Sequence, residues 1–296
     1  MNIGFIGLGK MGANMLQHLI PKAASLWIFD VNPTFKNIKY PDNVHFANSN
    51  IEVAQNAEVV FLMLPNSKIV EDVILGDTGL IQALAPNSII VDMSSSYYFS
   101  TLSIHQQLLA KNITLIDAPV SGGVIGAKEG KLTFMVGHYD AHQQKIEPLL
   151  EALATHIFVI GKVGGGHAIK ALNNFLSASS LLATTEAMNI IKQLEIDETK
   201  AIEVFNKSSG RSFSTELKFP KYILSETYNS GFDLALLSKD VTVAHDIIKE
   251  LGIQLNVLPL LDEIYKDGIM KIGYAADHTE ISKYYNVSQY SQANSL

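Results

Sequence analysis

The chain contains no cysteine. Disulfides, cysteine-ligated zinc and thiol catalysis are excluded together. It has no basic block, and its net charge is -7. Nucleic acid is therefore an unexpected partner, since phosphate binding relies on clustered Lys and Arg. Long hydrophobic runs are also missing: the longest, such as residues 59–64, fall far short of a membrane span. Charge is sparse at 17% against 47% hydrophobic residues, in a chain of 296. That is a globular composition, long enough to bury a real core in one large domain or two ordinary ones. The chain opens Met1-Asn2-Ile3-Gly4-Phe5-Ile6-Gly7, already a strand entering a loop. No room remains for a signal or transit peptide, so a cytoplasmic protein is expected.

What is present begins with glycine. Gly7-Leu8-Gly9-Lys10-Met11-Gly12 is a G-x-G-x-x-G motif between a predicted strand at residues 3–6 and a predicted helix at residues 11–20. Gly7 permits the tight turn, Gly9 lets backbone approach a pyrophosphate, and Gly12 lets helix pack on strand. The helix N-terminus favours the phosphates. A second strand at residues 25–29 ends at Asp30, 23 positions after Gly7. That is near the spacing of about 20 for the acid that binds the ribose hydroxyls. A carboxylate there repels a 2′-phosphate, which points to NAD over NADP. The plainer reading makes Asp30 a turn cap before Pro33.

Strand-like runs recur at residues 59–64, 89–91, 114–116 and 132–136, with helical patterns between them, as at 67–74 and 101–111. This alternation predicts a parallel sheet covered by helices on both faces, with ligands at the strand ends. Residues 53–56 and 85–87 read as ordinary connections, and residues 34–43 are poor in helical pattern. His138 and His142 have the i, i+4 spacing of a metal pair, yet no third ligand has convincing spacing, so no metal is expected.

A last apolar run, residues 156–160, precedes Gly164-Gly165-Gly166-His167-Ala168-Ile169-Lys170-Ala171-Leu172-Asn173-Asn174. On a helix, Lys170 and Asn174 share a face one turn apart. A lysine so placed can exchange a proton with a substrate hydroxyl while the amide holds that substrate; the plainer reading is a solvated lysine. Residues 167–194, as one helix, would span roughly 42 Å. The rest of the second half carries helical patterns (199–206, 232–251, 257–267) and no nameable strand. The expected fold is α/β: an N-terminal Rossmann-type doubly wound sheet in residues 1–162, followed by an all-α domain in 163–296. The broad apolar faces of the latter suggest a homodimer or homotetramer. Residues 284–296 are polar and aromatic without periodicity, and are expected at the surface.

Four motifs carry a resemblance over residues 1–271. In order they are Gly4 through Gly12, Asp117-Ala118-Pro119-Val120-Ser121-Gly122-Gly123 with Gly126-Ala127 and Gly130, Gly164 through Asn174, and Lys239-Asp240. Together they resemble the signatures of the β-hydroxyacid dehydrogenase family. The resemblance implies that Lys170 is the catalytic residue and that Ser121, Gly122, Gly123 and Asn174 hold the substrate. It also implies that Leu8, Met11, Leu64, Pro65, Ser95 and Lys239 join Gly7, Gly9, Gly12 and Asp30 around NAD. Relatives usually carry threonine where this chain has Ser95 and commonly leucine at Val241, changes that keep the chemistry. Residues 208–213 look like the branch acting on hydroxyisobutyrate. The implied reaction is oxidation of 3-hydroxyisobutyrate to methylmalonate semialdehyde, a step of valine catabolism. Alternatives are reduction of tartronate or succinic semialdehyde by the same machinery, or a dinucleotide-binding regulator without catalysis.

Oxidising a hydroxyl sends a hydride to the nicotinamide and a proton to a base within hydrogen-bond reach. Lys170 serves both directions if burial and nearby charge lower its pKa. The substrate carboxylate needs donors, which Ser121, the Gly122-Gly123 backbone and Asn174 can supply.

Overall fold

The computed structural model describes residues 1–285, so most of the expected surface tail lies outside the described residues. The chain forms two compact units, one ending at Lys170 and the next beginning at Ala171. The seam lies within a long helix, whose first residues group with the first unit.

The first unit begins with β1 (Asn2–Ile6), α1 (Gly12–Leu19), β2 (Ser25–Phe29), β3 (Val44–Phe46), α2 (Asn50–Asn56) and β4 (Val59–Leu62). It continues with α3 (Ser67–Leu75), β5 (Ile89–Asp92), α4 (Tyr98–Leu109) and β6 (Thr114–Asp117). These six strands form one parallel sheet in the order β3-β2-β1-β4-β5-β6. The strand order reverses direction between β1 and β4, which opens a crevice at the strand ends there. The sheet separates two apolar cores, as the period-2 alternation of strands requires. Ile3, Phe5, Val59, Phe61, Ile89 and Val91 face one; Ile6, Val60, Leu62, Ile90 and Leu115 face the other. Burial on both sides is why these strands read as unbroken apolar runs.

One expected strand and the last apolar run pair elsewhere. After β7 (Val120–Ser121) and α5 (Gly123–Glu129) come β8 (Leu132–Val136), α6 (Gln143–Glu151) and β9 (Ala154–Val159). They make a separate sheet, β7-β8-β9, with β7 antiparallel to β8 and β8 parallel to β9. The apolar runs were legible, but nothing local dictated their partners. Residues 53–56, expected as a connection, belong to α2, whose N-cap Ser49 accepts a hydrogen bond from the Glu52 amide. The doubtful stretch after Pro33 is a 3-10 turn over Pro33–Asn37, capped by Asn32.

The second unit is helical. α7 (Gly165–Gln193) is a single helix of 29 residues that starts in the first unit. α8 (Glu198–Asn206), a π-helix (Ser214–Ile223), α9 (Leu234–Glu250) and α10 (Val257–Ile272) follow. The phenol of Tyr265, fully buried on α10, donates to the Ala178 carbonyl of α7 over 3.1 Å. No helix among the described residues is long and apolar enough to cross a membrane.

Candidate active site

The glycine motif occupies the turn from β1 into α1, and each glycine meets a different constraint. Gly7 has φ +99°, and a Cβ on it would lie 2.3 Å from the Met63 carbonyl oxygen. A Cβ on Gly12 would lie 1.9 Å from the Gly7 carbonyl oxygen. Gly9 has open space around its absent side chain, with nothing within 4 Å. Two glycines are therefore demanded by the fold, and the third leaves a cradle over the helix start. A pyrophosphate fits that cradle. Leu8 is buried beneath it and Met11 is half-buried beside it.

Asp30 stands just beyond β2. One carboxylate oxygen accepts from the Leu8 amide at 2.6 Å, the other from the Asn32 amide at 2.7 Å. The turn-capping reading is thus present in the structure, and the same carboxylate ties the end of β2 to the glycine loop. This arrangement holds an acid at the edge of the glycine loop.

The neighbouring strand ends add the remaining first-unit positions. Leu64, two residues past β4, donates its amide to Ser94 Oγ at 2.9 Å. Pro65 is exposed and Ser95 half-buried in the adjoining loops. Asp92, ending β5, organises its own loop by accepting from the Ser94 amide and the Ser96 hydroxyl, both at 2.9 Å. Ser121 ends β7, and Gly122 and Gly123 follow with φ of +126° and +60° at the start of α5. Both are exposed, and a side chain on Gly123 would meet nothing within 4 Å. This stretch is a strand end leading into a helix.

Lys170 is half-buried on α7. Asn174, one turn later, is buried in the second unit and donates its amide to Asp240 Oδ2. Lys239 Nζ lies 3.0 Å from the other oxygen of Asp240. Asp240 is thus a buried link between two positions that the sequence had singled out, although it was not itself assigned a role.

Sequence reasoning assigned no role to a group of buried polar residues around the start of α7: Asp92, Thr101, Asp117 and His167. The available signal was an aspartate closing each of two apolar strands, which is where parallel sheets collect functional groups. The histidine pair considered for metal is spent locally. His138 contacts Asp140 at 2.8 Å, and His142 pairs with the Thr114 hydroxyl at 3.0 Å.

A parallel sheet in this order, with a glycine cradle and an acid at the second strand end, is the architecture of a dinucleotide-binding domain. Comparison with known proteins gives the family. Residues 2–161 match the NAD-binding domain of 6-phosphogluconate dehydrogenase, and residues 164–285 match the NAD-binding domain of NADP-dependent 3-hydroxyisobutyrate dehydrogenase. 2-(Hydroxymethyl)glutarate dehydrogenase of Eubacterium barkeri is 34% identical, over 90% of this chain and 89% of that enzyme. NAD-dependent L-serine dehydrogenase of Pseudomonas aeruginosa is 32% identical, over 97% of this chain and 98% of its own length. The structure of Mycobacterium tuberculosis 3-hydroxyisobutyrate dehydrogenase with L-serine is similar at TM-score 0.88 and 26% identity, covering 96% of this chain and 98% of that one. The chain belongs to the β-hydroxyacid dehydrogenase family and is similar to its 3-hydroxyisobutyrate dehydrogenases. It is an NAD-dependent dehydrogenase of hydroxy acids, acting on CH–OH donors. The expectation of a regulator without catalysis is set aside.

Proposed function

We propose that the protein oxidises 3-hydroxyisobutyrate to methylmalonate semialdehyde, the valine-catabolic step, in the cytoplasm. The observation that carries the chemistry is the placement of Lys170 and Asn174 one turn apart on one unbroken helix, α7. In this reading Lys170 Nζ takes the hydroxyl proton during oxidation and returns it in the reverse reaction. Asn174, braced by Asp240, orients the substrate, and Ser121 with the Gly122 and Gly123 backbone holds the substrate carboxylate. Gly7, Leu8, Gly9, Met11, Gly12, Asp30, Leu64, Pro65, Ser95 and Lys239 hold NAD, which supplies the hydride acceptor when bound. Residues 1–162 form the NAD-binding domain and 163–296 the substrate and dimerisation domain. Exposed Ile169, Leu172, Leu176 and Ile190 along α7 support a homo-oligomer.

The test is the initial rate of NADH formation with 3-hydroxyisobutyrate, L-serine and 2-(hydroxymethyl)glutarate, with NADP run in parallel. The expected result is the highest kcat/KM for 3-hydroxyisobutyrate with NAD. A clear preference for either other acid overturns the substrate assignment and leaves the hydroxyacid chemistry standing.

A further inference from the structure

The helix that carries Lys170 is anchored by a buried carboxylate. Asp117, wholly buried at the end of β6, accepts from the Gly164 amide at 2.8 Å and from the His167 amide at 3.2 Å, one on each oxygen. Amides at a helix start lack intrahelical acceptors, so an acid there meets both hydrogen-bonding need and helix dipole. Packing around the carboxylate is tight enough to require glycine twice. A Cβ on Gly137 would lie 2.1 Å from Asp117 Oδ1, and one on Gly166 would lie 2.9 Å from Asp117 Oδ2.

The same turn is held a second time through a side chain. The His167 ring, completely buried, shares a 2.7 Å hydrogen bond with the Thr101 hydroxyl of α4 through Nδ1. Its Nε2 lies 3.6 Å from Asp92 Oδ2. Burial pushes the Asp117 carboxyl up, and the charge of His167 and the backbone N–H groups oppose that rise. Four polar residues have thus been removed from water around one helical turn, a costly arrangement for a site with no task. Lys170 stands three residues beyond His167, on the next turn of the same helix.

We propose that Asp117 and His167, with Thr101 and Asp92 behind the imidazole, are positioning residues for proton transfer at Lys170. They fix the rotation and height of the first turn of α7, and so the point from which the lysine side chain reaches. A helix free to slip or fray at this end displaces the ammonium, and a displacement of about 1 Å costs on the order of 100-fold in rate. The proposal rests on the assignment of Lys170 as the proton-exchanging group.

The test uses the full-length enzyme and four variants, each measured for kcat, KM, NAD dissociation constant and thermal unfolding. Asp117→Asn keeps shape, but an amide nitrogen now faces one of the two backbone N–H groups. His167→Ala removes the ring, His167→Asn restores one polar atom near the Nδ1 position, and Lys170→Ala removes the proton carrier. The expected result is a fall of about 100-fold in kcat for Asp117→Asn and for His167→Ala. KM and NAD affinity stay within about twofold, and His167→Asn recovers much of the loss. Full kcat in Asp117→Asn and His167→Ala, or a loss confined to NAD affinity, overturns the proposal. If Asp117→Asn does not fold, the two His167 variants decide by the same criteria. An inactive Lys170→Ala beside fully active Asp117→Asn discards the positioning role alone. An active Lys170→Ala discards the assignment on which it rests.

Discussion

Asn174 donates its side-chain amide to Asp240 over 2.5 Å, while Lys239 approaches the same carboxylate at 3.0 Å. The amide nitrogen of Asn174 is therefore oriented before any substrate arrives. Asn174→Ala leaves a buried carboxylate short of one donor, so it should cost about 1–3 kcal/mol of stability. It should also raise KM for the hydroxy acid by more than about tenfold, because both the contact and its orientation are lost. Urea unfolding and steady-state kinetics check both parts. An unchanged KM would remove Asn174 from the substrate site.

The glycine motif gives a paired prediction. Gly12→Ala places a methyl group 1.9 Å from the Gly7 carbonyl oxygen, a contact that no side-chain adjustment relieves. That variant should lose several degrees in Tm and its NAD binding together. Gly9→Ala meets nothing within 4 Å. It should keep the wild-type Tm and weaken NAD by about tenfold or more, the mark of a position kept bare for a ligand. Calorimetric titration with NAD separates the two, and tight binding by Gly9→Ala would contradict the cradle.

Asp30→Ala removes the acceptor of the Leu8 and Asn32 amides and the acid facing the expected ribose site. NAD should bind about tenfold more weakly, and the ratio of kcat/KM for NADP over NAD should rise. If only stability changes and the ratio stays constant, Asp30 is a turn cap and nothing more.

The parallel sheet was legible because its strands are buried on both faces and so appear as plain apolar runs between turn residues. The glycine cradle was legible because its three glycines stand at the spacing of the motif between a strand and a helix. What the sequence hid was pairing and depth. β3 has three residues, Val44 to Phe46, and owes its existence to its partner β2. β8 and β9 look like members of the main sheet until β7 pairs with β8. Asp117 was visible as the first letter of a motif, but its two backbone partners lie 47 and 50 positions away. Asp240 was legible as a neighbour of Lys239, while its bond to Asn174 spans 66 positions. No periodicity encodes such distances.

His278 makes stability pH-dependent. Burial, then the charge of Lys218, lowers its pKa from 6.5 to about 4. As pH falls from 6.5 toward 4 the unfolded chain binds a proton before the folded one, so stability is lost on acidification across that window. His278→Gln should flatten that part of the curve. Urea unfolding at pH 7 and pH 4.5 measures it, and parallel losses in both proteins would assign the acid sensitivity elsewhere.

The single helix α7 crosses the point at which the chain divides into its two compact units, with Lys170 closing the first and Asn174 soon after the start of the second. Under the proposed chemistry, neither unit is a transferable module. A recombination event at the natural seam would hand the proton carrier to one descendant and the substrate amide to the other. Under that chemistry, inheritance of the activity requires inheritance of this helix uncut.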